Sequence, residues 1–304
     1  MTNKIKKLVI PIPSPFNFWN TAWSHGWVGL LPFKAYEEKR KLTRIFLLES
    51  GLVTKTIWSV GGASELHIRA EAKEELSESD LAEIEAKFRT CLRIDEDYRS
   101  FYELCDNDPK FRWVIEYGAG RILRCPSVYE DVVKTICTTN CSWRQTRVMV
   151  TNLVQKLGPT FDTDHYGFPP PKQLASISEE FIKQEIRAGY RSSYLLDFAR
   201  HVANGELVPE KWKTCKLESL DLRKELLKIK GVGDYAATNI LKLVGRFDYL
   251  TLDSWTRKKF AQKYRDGKKV SDKEIYEAYE SYGQWKGLIF WLDMTREYLQ
   301  PDET

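Results

Sequence analysis

Residues 226–260 read LLKIKGVGDYAATNILKLVGRFDYLTLDSWTRKKF, and this stretch decides the fold. The pattern predicts an amphipathic helix that ends at the turn Lys230-Gly231-Val232-Gly233, with a second helix beginning immediately afterwards. The glycines let the backbone turn tightly and add no Cβ that would obstruct a close approach. An apolar loop then leads to one carboxylate, Asp253. We therefore expect a helical hairpin with an acidic side chain placed shortly after it.

The start of the second hairpin helix is a candidate anion site. Backbone N–H groups of Val232, Gly233 and Asp234 are expected there, where unpaired donors and the helix dipole favour negative charge. A DNA phosphate suits such a site, and the contact reads no base sequence. Lys230 adds positive charge nearby. An ordinary pair of helices joined by a glycine turn gives the same pattern, so the hairpin alone leaves DNA binding open.

Asp253 also has two interpretations. An aspartate at the first residue of a helix caps the free N–H groups there and needs no further role. A carboxylate that faces a partly apolar cleft can instead stabilise positive charge developing on a sugar, or activate water. At 4 Å and an effective dielectric constant near 20, such a charge pair contributes about 4 kcal/mol.

The chain divides into two regions by its pattern. Residues 1–100 carry short alternating or β-branched runs at 6–13, 43–50, 53–60 and 64–72, which predict a small antiparallel sheet, and then a helix at 77–90. Residues 101–304 form an all-helical body, with the hairpin at 219–244. Helices are predicted near residues 128–138, 145–157, 178–187, 190–204, 218–229, 234–244, 254–264, 272–281 and 284–298.

Composition restricts the class of protein less than the motifs do. The net charge of +4 is too small to indicate a polyanion partner by itself. The six cysteines contain no CxxC pair, which is typical of reduced, mostly buried thiols in an intracellular protein. Cys137 and Cys141, four residues apart on a predicted helix, are expected to pack in the core. No apolar run approaches the roughly 20 residues of a membrane span, and residues 1–13 lack an apolar core for export.

Several segments in addition to the hairpin resemble one family. They are residues 121–126 (RILRCP) with 136–140 (ICTTN), then 166–169 (YGFP) and 188–191 (AGYR), in this order before the hairpin. Together they resemble the helix-hairpin-helix (HhH-GPD) DNA glycosylase superfamily that includes endonuclease III. The likeness is greatest to the branch with 8-oxoguanine DNA glycosylase and bacterial 3-methyladenine DNA glycosylase, and it covers residues 115–264. It implies an α+β fold, with a small N-terminal antiparallel sheet domain followed by an all-α glycosylase body.

The resemblance also implies roles for individual residues. Asp253 matches the catalytic aspartate, and Gly231 and Gly233, with Lys230 and Val232 beside them, match the phosphate-binding turn. Asn140 matches a residue that fills the gap left by an extruded nucleotide. Tyr190 and Arg191 match a pair that contacts the unpaired opposite base, although a helix start with a half-exposed arginine explains those two residues equally well.

The hairpin departs from the family pattern at two positions, Tyr235 and Lys230, and Lys230, which replaces a common proline, should leave phosphate binding intact. Tyr235 stands where bifunctional members of the superfamily carry a lysine that forms a Schiff base with the sugar, so we expect a monofunctional enzyme that uses water and has little lyase activity. Tyr235, Trp255 and Trp285 are candidate walls of a base pocket, although each is also a plausible core aromatic.

No cysteine follows Cys215, which excludes the iron–sulfur cluster of endonuclease III. No metal is expected, and the only cofactor we consider is a structural monovalent cation at the hairpin.

These observations lead to three hypotheses about function. The first is a glycosylase of base excision repair that removes alkylated purines such as 3-methyladenine, because a cationic base is already a good leaving group. The second is an 8-oxoguanine glycosylase without strong lyase activity, and the third is a non-enzymatic DNA- or lesion-binding protein. The expected partner is double-stranded DNA with a damaged base. We expect a monomer, away from membranes, located with the DNA in the nucleoid or the nucleus.

Overall fold

The computed structural model describes residues 3–62 and 64–299. Near the N-terminus, five antiparallel strands form one sheet in the order β1-β5-β4-β3-β2. The strands are β1 (Lys4–Pro11), β2 (Lys34–Tyr36), β3 (Lys41–Leu47), β4 (Val53–Gly62) and β5 (Glu65–Ala72). The predicted sheet is confirmed. Only β2 was not anticipated, because a strand of three residues is too short to show an alternating pattern.

Fourteen α-helices accompany the sheet within the described residues. They are α1 (Phe18–Trp23), α2 (Glu78–Leu92), α3 (Arg99–Asp106), α4 (Trp113–Glu116), α5 (Val128–Thr138), α6 (Trp143–Leu157), α7 (Pro171–Ala175), α8 (Glu179–Phe181), α9 (Arg191–Ala203), α10 (Ser219–Leu226), α11 (Asp234–Leu243), α12 (Ser254–Tyr264), α13 (Asp272–Tyr279) and α14 (Lys286–Thr295). The predicted α+β class is confirmed. A two-stranded ribbon of β6 (Thr160–Asp162) and β7 (His165–Tyr166) lies within the helical part, where a proline-rich connection was expected.

The buried apolar side chains form two clusters. The larger cluster joins the sheet to α2, α5, α6, α9 and α11; Trp58 of β4, for example, meets Phe88 of α2 edge to face at 4.9 Å. The smaller cluster combines α3 and α4 with α12, α13 and α14, and includes Phe101, Phe260 and Phe290. Since the larger cluster contains side chains from both sides of residue 100, the domain division there stays a prediction.

A buried ion-pair network of three side chains links the sheet to helix α5. Arg44 of β3 donates to Glu130 at 2.5 Å, and Lys134 forms an ion pair with the other oxygen of the same carboxylate at 2.8 Å. All three side chains are almost completely buried. Removal of one member would leave an uncompensated charge in the core, which costs about 3–5 kcal/mol.

Among the described residues, no helix combines the length and the apolar character that a bilayer crossing requires. All six cysteines carry free thiols, and Cys137 is buried while Cys141 is half-buried.

Candidate active site

The hairpin has the predicted form. Helix α10 ends at Leu226, and α11 begins at Asp234 with Gly233 as its N-cap. Gly231 adopts a φ of +84°, and a Cβ at this position would lie 2.6 Å from the Tyr194 ring. A side chain at residue 231 is therefore excluded both by backbone conformation and by space.

The turn offers fewer free donors than predicted. Val232 donates its N–H to the carbonyl of Ile229 at 3.0 Å, and its side chain is buried in the larger core. This corrects the prediction for Val232, whose amide is already engaged inside the turn. No described residue accepts a backbone hydrogen bond from Gly233 or Asp234, so these two amides remain available at the positive end of α11.

Positive charge near the turn is largely paired within the protein. Lys230 is exposed, with Nζ 3.4 Å from a carboxylate oxygen of Asp197. Arg223 donates to the Asp234 carboxylate at 2.5 Å across the hairpin. The exposed side chain of Lys230 can therefore swing from Asp197 to an incoming anion at little cost, because exposed pairs contribute at most about 1 kcal/mol.

Asp253 caps helix α12. Its Oδ1 accepts the backbone N–H of Thr256 at 2.7 Å, and the Thr256 hydroxyl accepts the backbone N–H of Asp253 at 2.8 Å. Within the described residues no hydrogen bond reaches Oδ2. The capping role and a chemical role are therefore compatible, because one oxygen holds the carboxylate in place and the other is free.

Asp253 lines a cleft with a volume of about 770 Å³. Three separated parts of the chain form its walls. They are residues 23–29, residues 138–146, and residues within 235–298 that lie on α11, on the loop before α12, on α12, and on α14 and the turn after it. The aromatic side chains on these walls are Trp23, Trp27, Trp143, Tyr235, Trp255, Trp291 and Tyr298. The apolar character and size suit a flat, aromatic ligand.

The tryptophans on the walls are held in place by specific contacts. Trp255 lies with its ring centre 6.3 Å from that of Trp291, and Trp291 donates its indole N–H to the carbonyl of Ser24 at 2.8 Å. Trp27 donates its indole N–H to Asp131 at 2.7 Å. Burial raises the pKa of the Asp131 carboxyl to about 6. Two walls of the cleft therefore keep a fixed shape before any ligand arrives.

Trp285 does not belong to the cleft, which corrects its prediction as a pocket wall. Its ring stacks on Phe247 at 5.6 Å and lies 5.2 Å from Phe101, in the smaller core. Its indole N–H faces the hydroxyl of Ser100 at 3.3 Å. The physical reason is the start of α14: the chain turns at Gly283, with a φ of +54°, and this places residue 285 against α3.

Tyr235, by contrast, lies at the cleft. It is half-buried in the first turn of α11 and lines the cleft together with Asp253 and Trp255. Burial raises the pKa of its hydroxyl to about 12, and the negative charge of Asp253 adds to the rise. The phenol is therefore uncharged at neutral pH.

Two polar side chains on the walls were not anticipated. His25 is buried beside Trp27, and burial, followed by the charge of Lys242, holds its pKa well below the usual value, so the imidazole is neutral at pH 7. Asn239 lies one helical turn after Tyr235 on α11 and donates to the Thr135 hydroxyl at 3.1 Å. The cleft thus combines aromatic walls with a few neutral polar groups.

Comparison with known proteins shows which proteins this chain resembles. The chain is 25% identical over 159 residues to the DNA-3-methyladenine glycosylase of Bacillus subtilis, covering 51% of this chain and 52% of the relative. The alignment thus spans about half the length of that curated relative. In sequence and in fold, the chain resembles the helix-hairpin-helix DNA glycosylase superfamily. No family model matches the chain.

Solved structures from the superfamily share the complete fold. A 3-methyladenine DNA glycosylase from Archaeoglobus fulgidus superposes with a TM-score of 0.76 at 16% identity, over 96% of this chain and 98% of that one. An 8-oxoguanine glycosylase/lyase from Clostridium acetobutylicum superposes with a TM-score of 0.72 at 21% identity, over 97% and 98%. At these identities the likeness establishes the fold and leaves the substrate open.

Asn140, Tyr190 and Arg191 lie on two neighbouring segments. Arg191 donates through Nε to the carbonyl of Thr139 at 3.1 Å, which joins the start of α9 to the turn that carries Asn140. Asn140 is exposed with a φ of +46°, and Tyr190 is 54% exposed. Both side chains are therefore free to meet a ligand outside the protein.

The role predicted for Arg191 needs correction. Its side chain is 6% exposed, and its guanidinium donates to the carbonyls of Thr139 and Ala188 and lies 4.5 Å from the Tyr190 ring. In this arrangement it is not available to contact an unpaired base. Arg191 instead holds the turn that carries Asn140 and packs against the ring of Tyr190.

The residues that the sequence did not reveal come from three separate segments. His25 and Trp27 lie more than 200 positions before Asp253, in a segment with no motif, and Trp143 and Trp291 look like ordinary core aromatics of amphipathic helices. Among the described residues, no group of three or more His, Cys, Asp or Glu side chains is placed to hold a metal ion. The monovalent cation at the hairpin stays a prediction.

Proposed function

We propose that this protein is a monofunctional DNA N-glycosylase of base excision repair, which extrudes a damaged purine and hydrolyses its glycosidic bond with water. The observation that carries the proposal is the position of Asp253. Its carboxylate lies on the wall of an aromatic cleft and directly follows a hairpin whose Gly233 and Asp234 amides are free.

In this proposal the hairpin binds the DNA strand and the cleft binds the extruded base. The amides of Gly233 and Asp234 would bind a backbone phosphate, which fixes the strand without reading its sequence. Asn140 would occupy the space left in the duplex, and Tyr190 would stack beside the unpaired base. The extruded base would enter between Tyr235, Trp255 and Trp291.

Asp253 would then act on the sugar. As the glycosidic bond breaks, positive charge develops on the deoxyribose, and a carboxylate a few ångströms away stabilises it. The free Oδ2 is the oxygen available for this interaction or for orienting water. Tyr235 cannot form an imine, so nothing at its position competes with water as the nucleophile.

Alkylated purines such as 3-methyladenine are the first choice of substrate. They carry a positive charge, leave readily, and stack well on electron-rich indoles. 8-Oxoguanine is the second candidate, favoured by the neutral polar groups of His25 and Asn239, which suit hydrogen bonds to an uncharged base. A protein that only binds lesions is the third.

The deciding experiment uses duplexes that each carry one modified base, with abasic sites scored as alkali-labile breaks. We expect breaks with at least one alkylated purine for the wild-type protein and almost none for Asp253→Asn, which should still bind the duplexes. Breaks from 8-oxoguanine alone would select the second candidate. Equal behaviour of the wild type and the variant, with binding but no breaks, would select the third.

A further inference from the structure

Lys242 is a buried lysine close to the cleft that the proposed chemistry does not use. It lies on α11, seven residues after Tyr235 and therefore about two turns further along nearly the same face. The side chain is 2% exposed, and no described residue accepts a hydrogen bond from its amine. A buried ammonium without acceptors is strongly destabilised, so the surroundings favour the neutral amine.

The amine rests on one of the cleft walls. Its Nζ lies 3.6 Å from the centre of the Trp291 ring. Trp291 lines the cleft, and Lys242 lies behind the lining residues in contact with this ring. The hydrogen bond from Trp291 to the carbonyl of Ser24 keeps the ring in this position.

The charged groups around Lys242 act in opposite directions. Burial lowers the pKa of its amine to about 7, the carboxylate of Asp253 opposes this shift, and the guanidinium of Arg93 adds to it. Arg93 is anchored by donating to the carbonyl of Lys242 at 2.9 Å. His25, whose ring lies 5.8 Å from that of Trp291, stays neutral, and on α5 Lys134 is paired with Glu130.

We propose that Lys242 is a specificity-determining residue whose charge, acting through Trp291, sets how well the cleft accepts a cationic base relative to an uncharged one. This inference rests on the proposed function and deepens it. When the amine is protonated, it occupies the electron-rich face of the indole and repels a second cation on the cleft side. When the amine is neutral, this repulsion is absent and the indole can stack on a cationic purine.

The direction of the pH effect follows from this arrangement. Below about pH 7 Lys242 is charged and cationic bases are disfavoured; above it they are favoured, while uncharged bases are little affected. We expect the preference for a cationic base to rise about tenfold between pH 6 and pH 8.5. Effects of pH on DNA binding act on both substrates and cancel in the ratio.

The test compares kcat/KM for duplexes containing 3-methyladenine, which is cationic, and 1,N6-ethenoadenine, which is uncharged, from pH 6 to pH 8.5. We expect the ratio to rise with pH in the wild type and in Lys273→Met, an exposed control on α13 with a side chain 85% exposed. In Lys242→Met the ratio should be high and independent of pH. The same pH dependence in Lys242→Met as in the wild type would overturn the proposal.

A binding measurement on the wild-type protein tests the proposal even if Lys242→Met folds poorly or no duplex is turned over. Dissociation constants of two free bases, 7,9-dimethyladeninium as the fixed cation and 9-methyladenine as its uncharged counterpart, are measured with the wild-type protein by tryptophan quenching. Their ratio should shift about tenfold toward the cation as the pH rises through 7. A constant ratio, or binding of neither base, would overturn the role of Lys242. A shifting ratio together with no base release from any duplex would instead reject only the glycosylase activity.

Discussion

Asp253 and Thr256 hold each other through two hydrogen bonds, of 2.7 Å and 2.8 Å, between the side chain of each and the backbone N–H of the other. This reciprocal cap gives the carboxylate a fixed orientation while Oδ2 accepts no hydrogen bond from the described residues. It also means that stability and catalysis depend on the same side chain, so a test must separate them.

Asparagine separates the two roles of Asp253, because it caps a helix about as well as aspartate does but carries no charge. We expect Asp253→Asn to unfold within about 0.5 kcal/mol of the wild type and to release base at least about 100-fold more slowly. Asp253→Ala should lose both the cap, about 1 kcal/mol, and the activity. Denaturant unfolding and single-turnover base release are the two measurements. Near wild-type turnover in Asp253→Asn would reject the catalytic role.

The side chain at position 235 determines whether we expect a covalent bond between the protein and the sugar after base release. A phenol cannot form an imine, so borohydride should trap no covalent adduct between the wild-type protein and a substrate duplex. Tyr235→Lys is the matched control: it places an amine in the first turn of α11, beside Asp253, and should give a trapped adduct. A strong adduct with the wild-type protein would contradict the monofunctional assignment, and its loss in Lys242→Met would identify the amine responsible.

Gly231 and Gly233 should respond differently to alanine. At Gly231 a methyl group meets the Tyr194 ring at 2.6 Å and the φ is +84°, so Gly231→Ala should destabilise the fold by about 1–2 kcal/mol or more. At Gly233 the space is open and the φ is −94°, so Gly233→Ala should fold normally. Its methyl group should nevertheless obstruct the phosphate and weaken duplex binding by about tenfold.

Fluorescence anisotropy at several salt concentrations checks this pair. For the wild type, binding should weaken steeply as salt increases, because phosphate contacts release counterions. Gly233→Ala should reduce affinity for all duplexes alike, whatever base they carry. Unchanged affinity in Gly233→Ala would show that the hairpin amides do not bind the phosphate.

Arg191 is expected to act through its neighbours. Arg191→Lys removes the donors that hold the carbonyls of Thr139 and Ala188, so both stability and base release should fall, the latter by about tenfold. Asn140→Gly is the matched control, since glycine accepts the φ of +46° and only the gap-filling side chain is lost. In that variant base release should fall with stability unchanged. Full activity in Arg191→Lys would contradict the positioning role.

Lys242 also predicts how stability depends on pH. Its pKa is about 7 in the folded protein and about 10.4 in an unfolded chain, so between these values the unfolded state binds the additional proton. The free energy of unfolding therefore gains about 1.4 kcal/mol per pH unit from this group as the pH rises from 7 to 10. Lys242→Met should lack this rise and be more stable than the wild type by a few kcal/mol at pH 7. Equal slopes in urea unfolding from pH 7.5 to 9.5 would contradict the depressed pKa.

Local patterns were enough to predict the parts of the site that lie close together in the chain. The hairpin, the cap at Asp253 and the aromatic at position 235 all fall within residues 219–256, and short-range rules for glycine turns and helix caps apply to them. The alternating strands near the N-terminus were predictable for the same reason. Trp285 was misplaced because a sequence shows that an aromatic is buried but not against which neighbour.

The sequence by itself determined the α+β class, the hairpin and the acidic residue after it, because these depend on contacts within a few helical turns. Only the tertiary structure decided which side chains surround Asp253. His25 and Trp27 reach the cleft from a loop beside the sheet, Lys242 reaches Trp291 from another helix, and Arg191 turns inward to Thr139. Packing between distant segments places these groups, and nothing in their local sequence encodes it.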